Sequence, residues 1–232
     1  MLPGRRESWR ADPRAGVLVI VAGIALAGFA AITAAVLLAP AFVEFDVAAS
    51  AAIRGITAPG LEPVARVVTH LGDFPVVATL TALTAAVLFV RGRRVEAAVV
   101  LVAVAGGALL GFGLKELFMR VRPALDVARI PLPATYSFPS GHALASVLYL
   151  GSLVFVAFLD IRRLGVAVPV VAGCTLIALA IALSRVYLGV HYLGDVIGAW
   201  FLAAAWLALV VLVAARWGAG QDDGEVRSRD AA

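Results

Sequence analysis

The stretch Lys115-Glu-Leu-Phe-Met-Arg-Val-Arg122-Pro123 sets two cations seven residues apart. On a helix that spacing puts both on one face, although Pro123 disfavours helix at Arg122 and marks a boundary. Cations snorkelling at a membrane surface would look the same. A second stretch, Phe138-Pro139-Ser140-Gly141-His142, precedes an apolar run. Ser140 is a good N-cap residue, Gly141 permits close backbone approach, and the first amides of a helix form an anion site. His142 would then sit beside any bound anion, unless the stretch is only a cap with an incidental histidine. The third stretch, Ser184-Arg185-Val-Tyr-Leu-Gly-Val-His191-Tyr-Leu-Gly-Asp195, places a carboxylate four residues after a histidine. On a helix these are neighbours. A carboxylate in that place can fix the imidazole tautomer and leave the second nitrogen free as a nucleophile. The alternative is a structural His–Asp pair, but ionisable pairs at membrane depth are costly and point to function. Three cations and a helix start suit a phosphoryl group, whose transition state spreads negative charge over its oxygens. Two histidines can serve as nucleophile and acid.

The elements that must hold these residues are apolar. Hydrophobic residues make up 62% of the 232 residues and charged ones only 15%, and mean hydropathy is +1.01. A soluble domain would carry about a quarter charged residues. Six apolar runs lie near 16–39, 75–90, 95–114, 143–159, 164–183 and 196–215, each close to the length that crosses a hydrocarbon layer. Such runs can only be helices, because lipid offers the backbone no hydrogen bonds. The predicted fold class is therefore all-α: a polytopic membrane protein with six transmembrane helices.

The basic N-terminus and Ala39-Pro40-Ala41 loosely resemble a signal peptide, but the apolar stretch between them exceeds a signal h-region of about 7–15 residues. It reads as a retained first helix. With the N-terminus in the cytoplasm, twelve of the 19 basic residues fall in inner segments and seven in outer ones. Three of those seven are Lys115, Arg122 and Arg185. This asymmetry predicts both termini inside and all three stretches outside. The organisation expected is a cytoplasmic segment 1–15, a membrane domain 16–215 and a disordered cytoplasmic tail 216–232. Short interfacial helices are expected between 41 and 74. Tyr187 and Tyr192 read as interfacial belt residues, Cys174 as a packing residue and His70 as a loop residue. The basic residues form no nucleic-acid patch.

The spacings K-x6-R-P, P-S-G-H and S-R-x5-H-x3-D resemble the complete signature of the type 2 phosphatidic acid phosphatase (PAP2) superfamily, in its bacterial membrane lipid phosphatase branch. Phe45-Asp46 and His70-Leu71-Gly72-Asp73 resemble that family's first outer loop. The resemblance implies a catalytic set of His191, His142 and Asp195. His191 would attack phosphorus, Asp195 would orient it, and His142 would protonate the leaving oxygen and later activate water. Lys115, Arg122, Ser140, Gly141 and Arg185 would hold the phosphate, with no metal and no cofactor. The implied partner is a lipid phosphate in the cell membrane, met at the extracytoplasmic face: polyprenyl diphosphate, phosphatidylglycerophosphate or phosphatidic acid. A lipid phosphotransferase on the same scaffold is the first alternative. A transporter is the second, though it would scatter charges through several helices rather than gather them at one depth. The oligomeric state is not legible in the sequence.

Overall fold

A computed structural model of the protein describes residues 13–160 and 164–230, with side-chain surroundings for 15–157 and 167–216. Among the described residues every regular element is helical. The α-helices run α1 Pro13–Leu38, α2 Pro40–Arg54, α3 Leu61–His70, α4 Phe74–Val90, α5 Arg94–Leu101, α6 Gly107–Phe118, α7 Gly141–Asp160, α8 Leu164–Tyr187 and α9 Leu193–Asp230. A π-helical turn, Val102–Gly106, joins α5 to α6.

Among the described residues, four helical stretches are long and apolar enough to cross a membrane: Ala15–Leu38, Arg94–Phe118, Ala167–Tyr187 and Leu193–Arg216. The pair α3 and α4, bent by 48°, makes a fifth if it counts as one span, and Gly141–Ala157 is a shorter apolar helix. Large apolar side chains point outward along these helices, among them Ile24, Leu83, Phe112 and Leu176. Exposed apolar surface on this scale belongs against lipid. The interfacial segment expected between 41 and 74 contains two helices, α2 and α3.

The bundle closes around α1, α7 and α9, with α8 against α7 and α3 against α8. Small residues let helices approach closely, as in membrane bundles generally. A Cβ on Gly107 would collide with Leu148, and one on Gly111 would lie 2.5 Å from Leu144. Phe138 is fully buried. Its ring stacks on Phe29 of α1 at 5.9 Å and tilts against Phe118 of α6 at 5.6 Å. A Cβ on Gly198 of α9 would strike it. The stretch 138–142 is thus pinned to three helices at its first residue, which fixes where α7 begins.

The structure corrects several boundaries. The run 95–114 extends to Phe118, 164–183 to Tyr187, and 196–215 starts at Leu193. Lys115, Arg185 and Asp195 therefore lie within helices, on their last or first turns. Apolar composition marks only the part of a helix inside hydrocarbon, so polar end turns escape it. α9 also continues to Asp230, where the tail from 216 was expected to lack structure. The N-terminal residues 1–12 and the loop arginines Arg162 and Arg163 lie outside the described residues.

Candidate active site

One end of the bundle collects the C-terminal ends of α3, α6 and α8 and the N-terminal ends of α4, α7 and α9. Lys115 is buried in the last turn of α6, and its Nζ donates to the carbonyls of Tyr136 at 2.7 Å and Ser137 at 3.3 Å. α6 stops at Phe118, and Met119 takes a left-handed conformation, φ 47°. Arg122 therefore does not share a helical face with Lys115, as the spacing suggested. The two converge instead because the loop folds back: Arg122 Nη2 also donates to Tyr136 O, at 3.2 Å. The Arg122 fork is held further by the carbonyls of Thr135 and Val190.

His191 precedes α9 rather than lying on it, yet the pair with Asp195 forms: Nδ1 is 3.1 Å from Asp195 Oδ2. Arg122 Nη1 lies 3.1 Å from His191 Nε2. A guanidinium can only donate, so Nε2 accepts and the proton sits on Nδ1, shared with Asp195. The lone pair of Nε2 thus points to the side where the cations gather. Burial pushes the imidazole pKa down to about 3. Asp195 opposes that shift, while the charges of Arg122 and Lys115 reinforce it. A neutral, tautomerically fixed histidine beside cations is the state a nucleophile requires.

Asp195 also accepts from Tyr192 N at 2.9 Å and from the hydroxyl of Ser137. Its backbone carbonyl receives Ser140 N at 3.1 Å, tying the start of α7 to the start of α9. Ser140 stands one residue before α7, but its hydroxyl makes no capping bond; it is buried without a protein partner, as is Nε of Arg185. A Cβ placed on Gly141 would meet Cε of Lys115 at 4.0 Å, so the α7 amides and the ammonium border the same space. Two orphaned donors, a helix start and three cations form a site shaped for an anion.

His142 and Arg185 look toward the corner between α3 and α4. His142 Nε2 is 2.7 Å from Asp73 Oδ1, and Asp73 Oδ2 is 2.7 Å from His70 Nδ1. Arg185 Nη1 donates to Thr69 Oγ1 at 2.7 Å. Gly72 lies against the His142 ring and Ile181 of α8, where a Cβ would come within 3.2 Å and 2.7 Å. All eight predicted site residues thus stand at this end, in two groups joined through Ser140.

The sequence pattern of the PAP2 superfamily matches residues 96–219. The chain belongs to the PAP2 superfamily. It is 33% identical over 172 residues to phosphatidylglycerophosphatase B of Bacillus subtilis, covering 71% of this chain and 81% of that one. It is 33% identical over 159 residues to decaprenylphosphoryl-5-phosphoribose phosphatase of Mycobacterium tuberculosis, covering 65% and 80%. The crystal structure of a transmembrane PAP2 type phosphatidylglycerolphosphate phosphatase from Bacillus subtilis superposes with a TM-score of 0.72 at 30% identity, over 82% of this chain and 93% of that chain. The protein is thus a multi-pass membrane protein of a lipid phosphatase family.

Motif reading of this PAP2 chain gave no site role to several residues that the structure ties to the site, although it marked Asp46 and Asp73 as outer-loop residues. Asp73 holds His142, and Ser137 and Arg120 hold Asp195. Asp46 sits behind Arg120 at 2.8 Å. Their signal was present, since a carboxylate among apolar residues at membrane depth is unusual. Tyr187, expected in an interfacial belt, is buried and accepts from Arg129 at 2.5 Å. His70, expected in a loop, ends α3.

Proposed function

We propose that the protein hydrolyses a lipid phosphate by way of a phosphohistidine on His191. The observation that carries this reading is His191 Nε2: it is the acceptor of Arg122 and lies in a neutral ring held by Asp195. In the first step the Nε2 lone pair forms a bond to phosphorus as the bond to the lipid oxygen breaks. That oxygen takes a proton from His142. In the second, water attacks the phosphohistidine while His142 takes a water proton, and inorganic phosphate leaves with His191 neutral again. Lys115, Arg122, Arg185, Ser140 and the Gly141 amide hold the phosphoryl oxygens, supplying the charge that metal phosphatases take from cations.

The helix order supports a six-span arrangement with an outward-facing site. Taking α3 with α4, and α5 with α6, the helices alternate in direction, and the site gathers at one end. The opposite end carries Arg91, Arg93, Arg94 and Arg216, the arginine-rich side expected in the cytoplasm. Both termini then lie inside, the protein resides in the cell membrane, and the lipid tail stays in the bilayer while its head enters the site.

The names of the two relatives describe lipids bearing phosphate on a polar head. That favours phosphatidylglycerophosphate over polyprenyl diphosphate as the first substrate to test. The deciding experiment measures phosphate release by purified protein in liposomes from phosphatidylglycerophosphate, phosphatidic acid and polyprenyl diphosphate. Release from at least one, lost in His191→Ala, is expected. Release from none, with folded protein, would refute the reading, and labelled phosphate found on a lipid acceptor instead of in water would turn it into transfer.

A further inference from the structure

Two buried carboxylates share one guanidinium behind the candidate nucleophile. Arg120 Nη1 donates to Asp195 Oδ1 at 2.6 Å, and Nη2 donates to Asp46 Oδ2 at 2.8 Å. The side chains of Arg120, Asp46 and Asp195 are only 9%, 2% and 0% exposed. The fork also lies over the Tyr192 ring, 4.5 Å from its centroid, and the Arg120 carbonyl receives Ser137 N at 2.8 Å.

Asp46 comes from α2, far from the motifs in sequence. Its second oxygen, Oδ1, accepts Gly194 N at 2.8 Å. A Cβ at position 194 would fall 2.7 Å from Asp46 Oδ2, so glycine is needed there for the carboxylate to reach the start of α9. The two oxygens of Asp195 divide their work. Oδ2 faces His191, Tyr192 N and Ser137, while Oδ1 faces Arg120.

This arrangement bears on charge as well as position. Paired with Arg120 alone, Asp195 would be neutralised and would hold the Nδ1 proton of His191 weakly. The ring turns cationic when Nε2 bonds phosphorus, and that is when a net negative partner matters. Asp46 draws on the other arm of the fork, so the trio carries one net negative charge.

We propose that Asp46 is a positioning residue for the phosphoryl-transfer step, acting through Arg120 as the counter-charge that keeps Asp195 effectively anionic toward His191. The proposal rests on the phosphohistidine reading given above. It commits to a sign. Neutralising Asp46 slows phosphoenzyme formation, and removing the Arg120 charge as well restores it, because Asp195 then regains its full charge. A bare structural ion pair behaves otherwise, since breaking a buried pair is costly and the second loss adds to the first.

The test compares Asp46→Asn, Arg120→Gln and the double variant in purified full-length protein. The readouts are rapid-quench labelling of His191 by a radiolabelled lipid phosphate, steady-state kcat and KM, and thermal unfolding. Asp46→Asn is expected to lose about tenfold in labelling rate and kcat, a coupling usual within one ion-pair network, with KM within about twofold. The double variant is expected to recover most of that loss. Equal or greater loss in the double variant, in folded protein, overturns the proposal. If Asp46→Asn does not fold, Gly194→Ala replaces it: its Cβ displaces the Asp46 carboxylate while leaving every charge in place. A fall in kcat at unchanged KM is then expected, and an unchanged kcat overturns the proposal. Absence of any label on His191 in the wild type would instead overturn the phosphohistidine reading itself.

Discussion

Asp73 Oδ1 lies 2.7 Å from His142 Nε2, joining the corner between α3 and α4 to the first turn of α7. The carboxylate is held in turn by His70 Nδ1 on its other oxygen. It therefore fixes the ring of the candidate acid as Asp195 fixes that of the candidate nucleophile. Asp73→Asn is expected to slow turnover of a lipid phosphate by about tenfold or more, part of the roughly 10²–10⁴-fold that a positioned acid contributes. It should spare p-nitrophenyl phosphate, whose leaving group needs no proton. Steady-state rates on the two substrates check this, and an equal loss on both would sink the assignment.

The depressed pKa of His191, about 3 in the folded protein, makes a prediction about stability. An unfolded chain binds a proton at this histidine near pH 6.5. Below that pH the unfolded state gains a proton that the folded state refuses, so stability falls as pH drops from 6.5 toward 3. Replacing the ring by His191→Asn removes this contribution. The variant's melting temperature should decline less than the wild type's between pH 7 and pH 4. Parallel declines would show that the folded imidazole takes up its proton at an ordinary pH.

The sidedness of the bundle can be read with thiols. Ala134 and Arg91 are both exposed and sit at opposite ends. In a Cys174→Ala background, a cysteine replacing Ala134 should react with a membrane-impermeant reagent in intact cells, and one replacing Arg91 should not. The reverse pattern would place the site on the cytoplasmic side.

The sequence made the chemistry more legible than the geometry. His191, Asp195, Lys115 and Arg122 could be picked out because cations, imidazoles and carboxylates are conspicuous among apolar residues, and the apolar runs declared the helices. Their meeting was misjudged in detail. Lys115 and Arg122 were matched by helical phase, whereas a left-handed Met119 and a returning loop bring them together. Asp46 and Asp73 were marked only as outer-loop residues, and Arg120 not at all, because the partners that give them a role lie 69 to 75 residues away. Contacts of that range are set by how helices pack, and no local spacing encodes them.

The two histidines should separate by leaving group. A lipid alkoxide leaves poorly and needs a proton in the transition state, whereas nitrophenolate leaves without one. His142→Ala should therefore lose far more activity on a lipid monophosphate than on p-nitrophenyl phosphate in the step that forms the phosphoenzyme. If His142 also activates water afterwards, this variant will accumulate phosphohistidine on the activated substrate and release a burst of nitrophenol. His191→Ala has no group to attack phosphorus, so it should be inactive on both substrates and show no burst. Rapid-mixing measurements of each variant with each substrate distinguish these outcomes. The structure adds one refinement. His142 Nε2 is engaged by Asp73, so Asp73→Asn should reproduce the leaving-group dependence of His142→Ala in weaker form, whereas Asp195→Asn should follow His191→Ala on both substrates. Equal losses for His142→Ala and His191→Ala, with no dependence on leaving group, would overturn this division of roles while leaving the fold and the family untouched.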